Sequence, residues 1–202
     1  MHSNLFKNQP KCFLFVLFVL CAWMGLMPTA HAQNIGLAEK LQSPDHVLLI
    51  RHALAPGVGD PANYTLSDCR TQRNLSQEGR QQAKRIGEWL RQQGIASANV
   101  FSSPWCRCKD TAELLHFGGY TLETSLASFF DNMQQAPATT QALQAFISQQ
   151  KKRTSHKALI LVTHHVNIHA YMGENIGSGD MVLARVDANG KMLSYQRIAR
   201  PE

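Results

Sequence analysis

The chain has 202 residues, of which 44% are hydrophobic and 17% charged. That length suits one domain, or two small ones, with a sizeable core, and the composition excludes a disordered chain. Of the formal charge of +6, Lys7 and Lys11 contribute two, leaving +4 for the rest; no basic run exceeds Lys151-Lys152-Arg153. The balance suits a small anionic substrate and gives no stripe for a nucleic-acid partner.

In chain order, residues 1–11 are polar with two Lys, and residues 12–27 form an uncharged apolar run. Pro28 follows, then Ala30-His31-Ala32, a small-x-small pattern. This order predicts a secretory signal peptide over residues 1–32, cut after Ala32, with one domain over 33–202 in the periplasm or secreted. The alternative is an uncleaved anchor, although the run falls short of the roughly 20 residues that span a bilayer. After cleavage no membrane contact is expected. Export leaves Cys69, Cys106 and Cys108 in an oxidising compartment. Cys106 and Cys108 are too close to pair without strain, which favours a bridge from Cys69 to one of them. The other reading is three small buried apolar side chains.

Residues 33–45 read as a leader. Val47-Leu48-Leu49-Ile50 reads as a buried strand of a parallel sheet. Residues 53–74, rich in Gly and Pro, form a long loop of the kind that carries function. Arg70 and Arg73 in it either border the substrate or are solvated surface. Ser76 caps a helix running to Arg91 or Gln92, with Gly94 as its stop. Asn99–Phe101 is a second strand, and Ser103-Pro104 reads as an N-cap and first helical position of a helix to Leu115. Tyr120–Leu122 is a minor strand, 138–150 an amphipathic helix, Ala158–Val162 a third buried strand and 165–172 a short helix. Met181–Val186 and Met192–Ile198 form a hairpin across Asp187-Ala188-Asn189-Gly190. The alternation predicts an α/β three-layer sandwich, its central sheet mainly parallel with a C-terminal antiparallel hairpin.

In such sheets ligands bind beyond the carboxyl ends of the strands. Arg51-His52 follow the first apolar run, Ser102-Ser103 and then Arg107 the second, and Thr163-His164-His165 the third. Three strand ends thus deliver cations or imidazoles to one rim, a set suited to the oxygens of a phosphoryl group. No cysteine-phosphatase loop, Asp-x-Asp pair, Gly-x-Ser-x-Gly or phosphate-binding Gly-x-x-x-x-Gly-Lys is present. An imidazole remains as nucleophile, giving a phosphohistidine that water hydrolyses, with no cofactor required.

Four segments resemble the histidine phosphatase superfamily, branch 1, the group related to phosphoglycerate mutases. They are Leu49-Ile50-Arg51-His52-Ala53, Asn74-Leu75-Ser76-x-x-Gly79-x-x-Gln82-Ala83, Phe101-Ser102-Ser103-Pro104-x-x-Arg107-x-x-x-Thr111-Ala112 and Leu161-Val162-Thr163-His164. The resemblance spans about residues 47–170. It implies a phosphatase acting on phosphomonoesters or phosphoamidates, with His52 as nucleophile and Arg51, Arg107 and His164 holding the phosphoryl oxygens. Ala53 stands where the family has Gly, and His165 where Gly is common. Ser128, in Leu126-Ala127-Ser128, stands where many members carry a proton-donating Glu. The nearest carboxyl is Asp131, expected as general acid, with Glu123 second; the other reading has Asp131 opening a turn with Asn132. Without an acid, good leaving groups such as phosphoamidates are favoured. Two other readings stand beside this one: a non-catalytic periplasmic anion-binding module, and a metal site built on His164, His165 and His169.

Overall fold

The computed structural model describes residues 36–152 and 157–202, which fall in one compact unit. The expected signal segment, with Cys12 and Cys21, lies outside them. Six strands form one mixed sheet: β1 (His46–Arg51), β2 (Ala98–Ser102), β3 (Thr121–Leu122), β4 (Ala158–Thr163), β5 (Met181–Val186) and β6 (Met192–Ile198). Their order is β3-β2-β4-β1-β5-β6, parallel from β3 through β1, with β5 antiparallel to β1 and β6 to β5. Register is set by the central pair, where Leu48 faces Ile160 and Arg51 faces Thr163.

Why the sheet is central follows from its apolar runs. Side chains alternate across a strand, so a continuous run must be covered on both faces. Leu48 and Ile50 pack on one face with Ile86, Leu90, Cys108 and Leu115. These come from α2 (Gln77–Gln92), α3 (Cys106–Leu114) and the residue that closes α3. Val47 and Leu49 pack on the other face with Leu143, Ile147, Ile168 and Tyr171. These come from α4 (Ala136–Lys151) and α5 (His165–Met172). The layering is the one expected from the sequence.

Two local differences have physical causes. The leader contains a helix, α1 (Leu37–Gln42), held to the core by the buried Leu41. It is too short for a periodic signal to emerge. The third helix begins at Cys106, two residues later than Ser103-Pro104 implied, with Trp105 at its N-cap and no side-chain cap. The Ser103 hydroxyl lies 2.8 Å from a ring nitrogen of His164 and accepts from Trp105 N–H at 3.5 Å, ahead of the first turn of the helix. Among the described residues no helix is long and apolar enough to cross a membrane.

Candidate active site

The carboxyl ends of β1, β2 and β4 open into a cavity of about 280 Å3. Arg51, His52, Arg73, Arg107, His164 and His165 supply its basic lining, and Gly57–Asp60, Ser128 and Phe130 the rest. His52 and His164 lie ring to ring at 5.5 Å, and an Arg107 Nη2 is 3.4 Å from His164 Nδ1. The structure therefore brings together Arg51, His52, Arg107 and His164 from three separate parts of the chain.

The short motifs hold these groups by their backbones. His52 N–H donates to the Thr163 carbonyl at 2.9 Å, tying the end of β1 to the end of β4. Ala53 N–H donates to Thr111 Oγ1 at 3.0 Å, and that hydroxyl donates to the Arg107 carbonyl at 2.7 Å. Leu54 N–H donates to Gln82 Oε1 at 2.9 Å, while Ser76 N–H donates to the Leu54 carbonyl at 3.1 Å. A side chain at 79 would place its Cβ 2.0 Å from that same carbonyl, so only Gly fits there. Ser76, Gly79, Gln82 and Thr111 are thus the supports of the residues that follow β1. Ser76 also caps α2 by accepting from Gly79 N–H at 3.0 Å.

The hydrogen bonds fix both imidazole tautomers. The Ala53 carbonyl can only accept, so His52 Nδ1 carries the proton at 2.8 Å from it. In the neutral ring Nε2 then holds the free lone pair. Burial, reinforced by Arg107, Arg51 and Arg73, pushes His52 well below its ordinary value and keeps that ring neutral. A guanidinium can only donate, so His164 Nδ1 accepts from Arg107 and its Nε2–H donates to Ser103 Oγ. Burial, with His52 and Arg107 beside it, holds His164 neutral as well.

Two of the cationic side chains keep a buried donor without a partner. Arg51 donates through Nη1 to the Ile176 carbonyl at 2.7 Å, and its buried Nε has no partner. Arg107, 3% exposed, also keeps a buried Nε without a partner. Each buried donor left unpaired costs about 1–3 kcal/mol, which an acceptor in the cavity would offset. Arg73 fixes the loop, donating from Nε to the Gly59 carbonyl at 2.7 Å and from Nη1 to the Ala55 carbonyl. Arg70, in contrast, is exposed and pairs with Asp68. Of the two loop arginines, only Arg73 reaches the cavity.

Sequence reasoning missed Asp60. Its side chain is 4% exposed and accepts from Arg107 Nη1 at 2.9 and 3.0 Å, from Trp105 Nε1 at 3.2 Å and from Arg73 N–H at 2.9 Å. A lone carboxyl in a glycine-rich loop carries no spacing signal, so only the fold reveals it. Trp105 was missed for the same reason; its ring lies 5.4 Å from that of His164.

The carboxyls expected as acid lie elsewhere. Asp131 is exposed on a turn, where the Tyr64 hydroxyl donates to it at 3.3 Å, and it is not among the cavity-lining residues. Glu123 accepts from Ser125 N–H at 2.8 Å as the cap of a short 3-10 turn, and it too is absent from the lining. Ser128 does reach the cavity, its hydroxyl accepting from Phe130 N–H at 3.2 Å. Among the described residues no group of three or more His, Cys, Asp or Glu side chains is arranged to hold a metal ion. The cysteine bridge joins Cys69 to Cys106, and Cys108 is a buried free thiol pushed up to about 12 by burial.

The family model of the histidine phosphatase superfamily (branch 1) matches residues 47–127. The protein histidine phosphatase SixA, solved with tungstate, superposes with a TM-score of 0.54 at 17% identity, over 77% of this chain and 97% of its own. A phosphoserine phosphatase from Entamoeba histolytica, solved with 3-phosphoglyceric acid, gives 0.53 at 14% identity, over 74% and 95%. At these identities the likeness is one of fold. No curated protein matches the sequence.

Proposed function

We propose that this protein is an exported phosphatase that hydrolyses phosphomonoesters or phosphoamidates through a phosphohistidine on His52. The observation that carries this reading is the buried neutral ring of His52, its Nδ1–H committed to the Ala53 carbonyl, with Nε2 left as the nucleophile. The similar folds of a protein histidine phosphatase bound to tungstate and a phosphoserine phosphatase bound to 3-phosphoglyceric acid support a small phosphorylated substrate.

In the first step His52 Nε2 attacks phosphorus and the ester or amide bond breaks, its electron pair leaving with the departing group. Arg51 and Arg107 hold the non-bridging oxygens with guanidinium N–H groups, and their charge stabilises the transition state. Water then attacks the phosphohistidine and the P–N bond returns its pair to Nε2. His164 is set against the reacting ring, its proton on Nε2 by the bond from Arg107 to Nδ1. Export rests on the N-terminal apolar run and on the Cys69–Cys106 bridge, which suits an oxidising compartment.

The test is to quench a turnover of radiolabelled phosphate ester with denaturant and locate the label. An acid-labile, base-stable phosphate on the peptide holding His52, absent from His52→Ala, is the expected result. Turnover by His52→Ala at the wild-type rate would overturn the mechanism. An intact cage that binds phosphate without any turnover in the wild type would identify a non-catalytic anion-binding module instead.

A further inference from the structure

An alkyl phosphate leaves as an alkoxide and needs a proton at the breaking bond, so an acid must stand in the cavity if such esters are substrates. The lining offers few groups for it. Asp60 has both carboxylate oxygens held by the Arg107 guanidinium, with Trp105 and Arg73 adding further donors. A proton there would face N–H groups on all sides. His52 is committed to attack, and His164 has Nδ1 accepting from Arg107 and Nε2–H donating to Ser103. Ser128, which stands at the rim, has no acidic proton.

His165 is different. It is the first residue of α5, half-buried, and its ring lines the same cavity. Its ring meets that of Phe130, with centroids 5.8 Å apart. Neither ring nitrogen has a hydrogen-bond partner among the described residues, so His165 is the imidazole of this cavity with both nitrogens uncommitted. Building on the phosphatase reading above, we propose that His165 is a further catalytic residue, the acid that protonates the leaving group and the base that then activates water.

The atoms balance. His52 Nε2 forms its bond to phosphorus, the P–O bond breaks, and the leaving oxygen takes the electron pair and the proton from His165. In the second step neutral His165 accepts a proton from water as the new P–O bond forms and the P–N pair returns to His52. His165 ends these two steps protonated, as it entered them in the substrate complex.

The charges around His165 link this proton to substrate binding. Arg51 acts on it from the end of β1, Arg73 from the loop, Arg107 from α3 and His169 from its own helix, while His52, Asp60 and His164, the residue that precedes the helix, line the same cavity. Burial first, then Arg51, Arg73 and Arg107, keeps the proton off the free protein's ring. Those are the arginines that a phosphoryl dianion neutralises. Substrate therefore removes the repulsion and favours the protonated ring at the moment the acid is needed.

The experiment compares 4-nitrophenyl phosphate, whose leaving group needs no proton, with glycerol phosphate on wild type, His165→Asn and His165→Gln. General acid catalysis is worth typically 100- to 10,000-fold, so in single turnovers both variants should lose roughly that factor in the rate at which the alkyl ester phosphorylates His52 and less than about tenfold in that of the aryl ester. The basic limb of the alkyl-ester kcat profile should shift or vanish in the variants. Equal losses on both esters, no loss on either, or a wild type that turns over the aryl ester alone would overturn the assignment. Failure of the underlying reading looks different: no label on wild-type His52 ends both proposals, whereas labelled His52 with equal losses ends only the role of His165.

Discussion

Asp60 and Arg107 form a buried ion pair at the floor of the cavity, and breaking such a pair by removing one partner typically costs about 3–5 kcal/mol. In Asp60→Asn the amide would turn N–H groups toward a guanidinium that can only donate. Arg107 would be left with an uncompensated charge that a bound anion can compensate. Asp60→Asn should therefore melt earlier in phosphate-free buffer, and added phosphate should raise its melting temperature more than it raises that of the wild type. Equal phosphate shifts in the two proteins would show that Asp60 does not oppose the charge that anions meet. At this scale the sequence was informative where chemistry repeats at strand ends, as with Arg51, His52, Arg107 and His164. It was silent on Asp60 and Trp105, whose roles depend on a loop folding back over α3. Asp131 shows the converse, because nearness in sequence to the expected acid position placed it on a turn outside the cavity lining.

At the scale of elements, loop 53–74 is secured to α3 by the Cys69–Cys106 bridge and by Cys106 N–H donating to Gln72 Oε1 at 2.9 Å. The bridged residues are 37 apart in sequence, and closing a loop of that size limits the unfolded chain by about 4 kcal/mol in the chain-entropy account. Cys106 adjoins Arg107, so the bridge also steadies the anion cage. Reduction should lower the melting temperature by roughly 8–16 °C for a domain of this size and raise KM more than it lowers kcat. A reduced protein with unchanged melting and unchanged KM would remove both roles. Helix and strand positions were legible because apolar runs and caps coincide with them: α5 and both hairpin strands fall where the pattern puts them. The start of α3 was not, because the Ser103 hydroxyl makes its short contact with His164 across the fold and the helix begins only at Cys106.

For the whole molecule, three imidazoles at one site shape the response to acid. His52, His164 and His165 are all held below the ordinary value of 6.5, in each case first by burial. In the unfolded chain each takes a proton near that pH, whereas in the folded chain each resists it. Below about pH 6.5 the unfolded state thus binds more protons, and stability falls as pH drops, by up to about 1.4 kcal/mol per pH unit for each ring involved. Above that range all three are neutral in both states and their contribution is flat. Denaturant melts from pH 8 to pH 5 should show a plateau and then a decline that His165→Asn makes shallower. A stability that rose on acidification would contradict the buried neutral rings. The three-layer fold was readable because a parallel sheet covered on both sides leaves continuous apolar runs, and the two-residue edge strand β3 falls within the minor strand expected over Tyr120–Leu122.

The division of labour between sheet and loop has an evolutionary corollary. His52, Arg51 and Arg107 are anchored to the end of a core strand and a helix, while Gly57, Val58 and Gly59 at the mouth belong to a surface excursion. Val58 projects almost wholly into solvent. Diversifying that excursion, with Asp60 and the cysteine tether retained, would re-address the same reaction to differently shaped molecules without rebuilding its centre.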